Sequence, residues 1–537
     1  MDGVVEVRGG RVQGVERNGV WSFSGIPFGA STAGDRRWRP PAPPEPWSGI
    51  RQCDRFGPVA PQSQGVVEQA LGGTAEAGSE DCLNLNVWTP GLDDGRRPVM
   101  VWVHGGSFST GSGSGGLYRG GLLAREGDVV VVTINYRLGL LGFLSHPALD
   151  EPGQTWIDGQ PWTGVANWGL ADQVAALAWV RDHIAEFGGD PANVTLFGES
   201  AGGMSVSTLL AVPAAAGLFH RAVVESGPPY TASAEVGADR AERIAALLGV
   251  PCTRHAMSTV PPERLVAVAS EFAEVSGGAD AGLVMTPVVD GGLLLQPPLD
   301  AVAGGSAAGV PLLLGTTRDE SAFFALGSPA LMSLDMGGLR HWMRRVTPDP
   351  ESADRVIAAV QAARASRGEP SEPRDLWSAI ATEYVFRVGT VRLADAHAAS
   401  AGPGVGTFGY LFTWESPAFD GVLGSCHALE IPFVFGTLRN PVVQAFSGGG
   451  EDAMALSAAI RQSWTSFARS GVPACEVPGA GSVPWESWDP SRRPTTVLGP
   501  WPGADGLVHH VDDPRSVELD AVDSVFGPGP GPGHRAD

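Results

Sequence analysis

The stretch Val194-Thr195-Leu196-Phe197-Gly198-Glu199-Ser200-Ala201-Gly202, continuing into Met204 to Leu210, reads as a strand, a tight turn and a helix. In a Gly-x-Ser-x-Gly turn the serine sits on a strained backbone with its hydroxyl lifted clear of the sheet. Glycine leaves room for the close approach of strand and helix. Ser200 is therefore the candidate nucleophile. The plainer reading is a surface Gly/Ser turn. Against it stand the legible strand before, the legible helix after, and the absence of a second such pattern in the chain.

Working outward, Val99 to Val103 and Val129 to Ile134 are continuous apolar runs, as expected of strands buried between helices on both faces. Leu83 to Trp88 alternates strictly, which predicts a half-exposed strand. From Leu170 the positions Val174, Leu177, Ile184 and Phe187 recur at helical spacing and stop at Gly188-Gly189. Strand and helix thus alternate from 99 to 210, the signature of a parallel α/β sheet whose ligands gather at the strands' carboxyl ends. Ala222 to Ser226, Pro311 to Leu314 and Thr407 to Thr413 read as further strands, and Ala453 to Ser470 as an amphipathic helix. Residues 4–30 read as an antiparallel edge meander and 62–78 as a loop.

Composition excludes several function classes. The chain has 537 residues, 43% of them hydrophobic, and no apolar stretch reaches the roughly 18 to 20 residues that span a bilayer. A net charge of −22 with no basic stripe argues against nucleic acid. All 36 basic residues are arginine, a bias that a GC-rich genome explains. The first residues carry no signal-peptide pattern, so a cytoplasmic protein is expected. The five cysteines, Cys53, Cys82, Cys252, Cys426 and Cys475, are widely spaced without Cys-x-x-Cys and read as free thiols. Gly111 to Gly116 matches Gly-x-Gly-x-x-Gly formally, but seven residues separate it from its strand and no helix start follows, so a dinucleotide turn is rejected. No metal, nucleotide or other cofactor is expected.

A serine hydroxyl needs a general base and a carboxylate to orient that base. In elbow-type folds these follow in the order nucleophile, acid, histidine, on loops after later strands. Gly315-Thr316-Thr317-Arg318-Asp319-Glu320 follows one strand, and a long loop bearing His427 follows the next. Asp319 and Glu320 are equivalent by spacing. His104-Gly105-Gly106-Ser107-Phe108 follows a buried strand and supplies oxyanion donors, expected at Gly106, Ser107 and Ala201.

With these residues together, the chain closely resembles the type-B carboxylesterases. This α/β-hydrolase family includes bacterial p-nitrobenzyl esterases, animal carboxylesterases and cholinesterases. The resemblance is carried by Gly25-Ile26-Pro27-Phe28, Ser79 to Val87, Asn135-Tyr136-Arg137-Leu138-Gly139, Phe187-Gly188-Gly189-Asp190-Pro191 and Phe197 to Gly203. It implies one α/β-hydrolase domain over 1–526, with a mostly parallel sheet, helices on both faces and helical insertions near 230–280 and 325–400. A disordered Gly/Pro tail over 527–537 would follow. It implies Glu320 as the acid and supports His427 in His427 to Gly436. It assigns Glu199 and Ser226 to places beside and behind the triad, and it pairs Glu80 with Arg37 and Asp172 with Arg137. Phe108, Phe323 and Phe324 would line the substrate site. In secreted relatives Cys82 pairs with a cysteine where this chain has Ala60. Cys53 lies seven residues earlier, which favours free thiols here. The expected activity is hydrolysis of neutral short- to medium-chain or aromatic esters by a monomer acting on a small molecule, with no membrane partner. Amide or carbamate hydrolysis on the same triad is one alternative. A non-catalytic binding protein like the neuroligins is another, disfavoured because Ser200, Glu320 and His427 are all present.

Overall fold

The computed structural model describes residues 3–63, 78–151, 153–156, 159, 161–162, 164–276, 283–326, 328–477 and 481–526. Most of the loop over 62–78 and the tail over 527–537 lie outside the described residues.

The N-terminal strands are β1 (Val4–Val7), β2 (Gly10–Gln13), β3 (Val15–Arg17), β4 (Val20–Pro27) and β5 (Ile50–Gln52). The next five are β6 (Asn84–Thr89), β7 (Arg97–Val103), β8 (Val130–Ile134), β9 (Gly189–Glu199) and β10 (Arg221–Glu225). Two residues each form β11 (Ala232–Ser233) and β12 (Val288–Val289), before β13 (Leu312–Thr317) and β14 (Thr407–Phe412). A hairpin of β15 (Ala474–Val477) and β16 (Gly481–Pro484) precedes β17 (Pro494–Leu498) and β18 (Val508–Asp512).

Eleven strands make one sheet, in the order β18-β17-β14-β13-β10-β9-β7-β8-β6-β4-β3. From β17 through β8 every neighbouring pair is parallel. The edges are antiparallel. The N-terminal meander is split: β1 and β2 leave to form a small sheet with β5.

Alternation along the central strands sorts side chains onto two faces. Val99, Val101 and Val103 of β7 join one core with Leu170, Val174 and Leu177 of the helix Trp168–His183 and Val206 of the helix Ala201–Leu209. Met100 and Trp102 join the other with Leu456, Ile460, Trp464 and Phe467 of the helix Glu451–Ser470. A strand buried on both faces needs no polar alternation, which is why β7 and β8 read as unbroken apolar runs.

One expectation is corrected. Strand β6 is buried throughout, although its sequence alternates. Asn84 and Asn86 do not face water. The Asn86 side chain accepts from Gly25 N–H at 2.9 Å and donates to Thr133 Oγ1 at 2.9 Å, and the Asn84 amide donates to the Pro58 and Cys82 carbonyls. Buried amides with their hydrogen bonds met mimic the polar half of an exposed strand.

Helices Ala234–Leu248, Arg254–Ser258 and Pro262–Val275 occupy the first expected insertion, and Met336–Val346, Pro350–Ser366 and Pro373–Thr382 lie in the second. The second group packs with the C-terminal helix Ser516–Phe526 around a core of its own. No described helix is long and apolar enough to cross a membrane. All five cysteines are free. The two anticipated ion pairs are present and buried, Arg37–Glu80 at 2.6 Å and Arg137–Asp172 at 2.7 Å.

Candidate active site

Five strands that are consecutive neighbours in the sheet, β14, β13, β10, β9 and β7, run in the same direction and end at one edge. Immediately after β7 comes the turn His104 to Phe108, after β9 Ser200, after β10 Ser226, after β13 Glu320, and after β14 the loop bearing His427. Parallel strands with crossovers put chain-distant loops side by side.

The elbow has the geometry its glycines imply. Ser200 holds φ 57° and ψ −126°, a conformation that side-chain-bearing residues rarely adopt. A Cβ on Gly202 would lie 2.0 Å from Val103 O, and one on Gly198 2.6 Å from the same atom. Strand and helix can meet this closely only without those side chains. The His104-Gly105-Gly106 turn abuts the elbow, since a Cβ on Gly105 would meet Ser200 Cβ at 3.0 Å. Gly106 and Ser107 have φ of 112° and 55°, and their N–H groups have no acceptor among the described residues. Ala201 N–H begins the helix Ala201–Leu209, where the first amides have no intrahelical partner. His104 stacks on Tyr136 at 4.5 Å and is held to about pKa 4 by burial, so it braces this turn as a neutral ring.

His427 is buried between two carboxylates. Its Nδ1 lies 2.6 Å from Glu320 Oε2, and its Nε2 approaches Glu199 Oε1 to 3.1 Å without the alignment of a hydrogen bond. Ser200 Oγ makes no hydrogen bond to the imidazole among the described residues. Such bonds are often long in unliganded enzymes and tighten with substrate. Glu320 Oε1 accepts from Ser226 Oγ at 2.5 Å and from Thr317 N–H at 2.8 Å, so both its oxygens are fixed. Glu320, rather than Asp319, therefore meets the histidine.

Two further glutamates lie behind these groups, and the sequence reading missed them. Ser226 Oγ also approaches Glu430 Oε1 at 3.4 Å, and Glu225 Oε1 accepts from Trp464 Nε1 at 2.8 Å. Burial, and then the charges of Glu320 and Glu225, hold the Glu199 carboxyl well above the usual carboxylate range. Burial pushes Glu225 up to about 8, against the lowering effect of its Trp464 hydrogen bond. Glu430 is likewise raised by burial and then by neighbouring carboxylates. Burial and the closeness of the neighbouring carboxylates therefore both work against ionisation of these three carboxyls. Their available signal was an acidic residue inside an apolar run, as in Val223-Val224-Glu225 and Leu429-Glu430-Ile431.

The three expected phenylalanines divide. Phe324 is 41% exposed and tilts over His427 with ring centres 5.2 Å apart. Phe323 is buried beside it, 5.7 Å away. Phe108 is wholly buried against Phe143 at 4.8 Å and offers no exposed wall. Its own backbone, like that of Ser107, has a positive φ, 58°. Phe386, absent from the sequence reading, lies 4.8 Å from His427 and stacks with Phe324 at 6.1 Å. It sits in a π-helical turn, Glu383–Arg387, inserted between the helices Pro373–Thr382 and Val388–Ser400. Such one-residue insertions redirect a side chain without breaking the helix. No cluster of His, Cys, Asp or Glu among the described residues could hold a metal ion.

The Carboxylesterase family model matches residues 1–501. The para-nitrobenzyl esterase of Bacillus subtilis (strain 168) is 35% identical over 92% of this chain and 94% of its own length. Carboxylesterase 1D of Rattus norvegicus is 33% identical over 87% and 83%. Among solved structures, the carboxylesterase EST55 of Geobacillus stearothermophilus superposes with a TM-score of 0.81 at 38% identity, covering 97% of this chain and all of that one. With this sheet, this elbow and these relatives, the chain belongs to the carboxylesterase family and is a serine carboxylesterase of the α/β-hydrolase fold.

Proposed function

We propose that this chain hydrolyses neutral carboxylic esters through an acyl-enzyme on Ser200, with His427 as the base and Glu320 as its orienting acid. The observation that carries the reading is the His427 Nδ1–Glu320 Oε2 contact of 2.6 Å beside a serine on a strained elbow. Glu320 fixes the tautomer with the proton on Nδ1, which leaves Nε2 to accept the hydroxyl proton of Ser200 as Oγ adds to the ester carbonyl. The oxyanion that forms meets the N–H groups of Gly106, Ser107 and Ala201. His427 then returns its proton to the departing alcohol oxygen. In the second half a water gives its proton to His427 as it adds to the acyl carbon, the bond from Ser200 Oγ to that carbon breaks to release the acid, and His427 returns the proton to Oγ. Glu199 stands 3.1 Å from Nε2, where burial disfavours its charged form and so weakens the pull it would exert on the imidazolium.

Phe324, exposed over His427 and backed by the buried Phe323 and Phe386, gives the site an apolar wall, which favours neutral over charged esters. The name of the Bacillus relative points to aromatic esters as a class to try. A panel of p-nitrophenyl esters tests this reading with native protein and Ser200→Ala. We expect kcat/KM to peak at about C2 to C8 acyl chains, given about 0.8 kcal/mol per buried methylene in a finite pocket. Ser200→Ala should lose about 10⁶-fold in kcat. An unchanged rate in that variant would remove the assignment, and a peak at long chains with interfacial activation would point to a lipase.

A further inference from the structure

Asp319 precedes the triad acid and equals it by spacing, yet it takes no part in holding the imidazole. Its own carboxylate does something else. Ser425 N–H donates to Asp319 Oδ2 at 2.9 Å, and Asp319 N–H donates to the Ser425 carbonyl, also at 2.9 Å. The loop after β13 and the loop after β14 are thus spliced by two hydrogen bonds, one residue before Glu320 and two residues before His427. The splice has its own supports. Arg318 donates twice to Asp319 Oδ2, at 2.9 and 2.7 Å, and once to Glu415 at 2.7 Å. Arg318 N–H and Ser425 Oγ both donate to the Phe412 carbonyl. Gly424 admits the contact: its φ is +56°, and a Cβ there would stand 2.5 Å from Asp319 Oδ2.

We propose that Asp319 is a positioning residue that fastens the His427 loop to the Glu320 loop and so sets the Glu320–His427 contact. This rests on the triad reading above. The Glu320 carboxylate is already fixed by Ser226 and Thr317, so the variable in that contact is where the histidine's backbone sits. His427 is reached along the chain through two rotatable residues, Ser425 and Cys426. The first of these is the one Asp319 holds from both sides.

The experiment compares Asp319→Ala, Asp319→Asn and, as a second way to break the splice, Gly424→Ala. Active sites are titrated with diethyl p-nitrophenyl phosphate so that rates are per competent site. A displacement of the base by a fraction of an ångström to an ångström costs up to about 10²-fold. Asp319→Ala should therefore lose ten- to a hundredfold in kcat per titrated site, by that same rule, with KM little changed. The acid limb of kcat/KM should also move to lower pH, because an imidazolium less tightly paired with Glu320 releases its proton more readily. The ionisable groups around that ring are Glu320 and Glu199 in contact with it and Glu430 and Cys426 beyond, with the Asp319 charge itself reaching Cys426; Asp319→Asn removes that charge while keeping an acceptor for Ser425, and so separates its electrostatic effect from the splice. Asp319→Asn keeps an oxygen for Ser425 N–H and should recover most of the rate, while Gly424→Ala should reproduce both the loss and the pH displacement. Wild-type kcat per titrated site in Asp319→Ala, or a lowered kcat with an unmoved acid limb, overturns the proposal and leaves the triad standing. Wild-type protein that neither turns over esters nor titrates with the phosphate overturns both.

Discussion

At residue scale the site is a problem of burying acids. Glu199, Glu225, Glu320 and Glu430 are all buried at the ends of neighbouring elements. Three of them are held above their ordinary range, with burial as the leading cause. Glu225 gives this a measurable sign. Its pKa is about 8 folded and near its ordinary 4.5 unfolded, so between those values the folded chain holds a proton that the unfolded chain has lost. Stability must then fall as pH rises across that window. Glu225→Gln keeps an acceptor for Trp464 Nε1 and cannot ionise. Its melting temperature should fall less steeply than that of the native protein between pH 4.5 and 8 and lie above it at pH 8. Parallel curves of melting temperature against pH would contradict this. Ser200 was legible because its neighbours Gly198 and Gly202 are demanded by a backbone contact within a few residues. The choice between Glu320 and Asp319 was not legible from spacing, since adjacent residues on a loop differ only in which way their side chains turn.

At the scale of elements, periodicity located the central strands and the long helices but failed where polar residues are buried or a helix is locally rewound. Strand β6 is the first case. Asn86 reads as a solvent-facing position, yet its amide serves Gly25, Gly113 and Thr133 inside the sheet. Asn86→Ala leaves Gly25 N–H without its partner, while Gly113 O and Thr133 Oγ1 keep their bond to each other at 2.6 Å; a buried unsatisfied group costs about 1–3 kcal/mol, so urea unfolding should show a loss of that order. A loss below about 0.5 kcal/mol, the size of an ordinary surface change, would mean that water replaces the amide. The π-turn carrying Phe386 is the second case. Ile380 to Val388 has neither glycine nor proline to announce an interruption, and its ties to the Glu320 loop are tertiary: Ser321 N–H donates to Thr382 Oγ1 at 3.1 Å, and Phe386 stacks with Phe324. A ring delivered to His427 by tertiary contact leaves no local mark.

At the scale of the whole molecule, the order of strands does what no single motif could. Residues 104, 200, 226, 320 and 427 span most of the chain, yet they follow five strands that lie side by side. The expectation of a parallel sheet came from alternating strand and helix, and the shared direction of those strands then brings the functional loops to one edge. What the sequence could not show was the strand order itself, which depends on pairing between segments as far as 95 residues apart, as in Leu312 with Thr407. The split of the N-terminal meander into two sheets has the same origin.

The central claim is that Ser200 is the nucleophile of a charge-relay site with His427 as its base. It is tested most directly by treating the protein with diethyl p-nitrophenyl phosphate, counting the phosphoryl groups added by intact mass, and locating them by peptide mapping. The account predicts one group per chain, on the Ser200 peptide, with complete loss of esterase activity and much slower labelling in His427→Ala. Phosphoryl groups on another serine, or full inactivation with Ser200 unmodified, would contradict it.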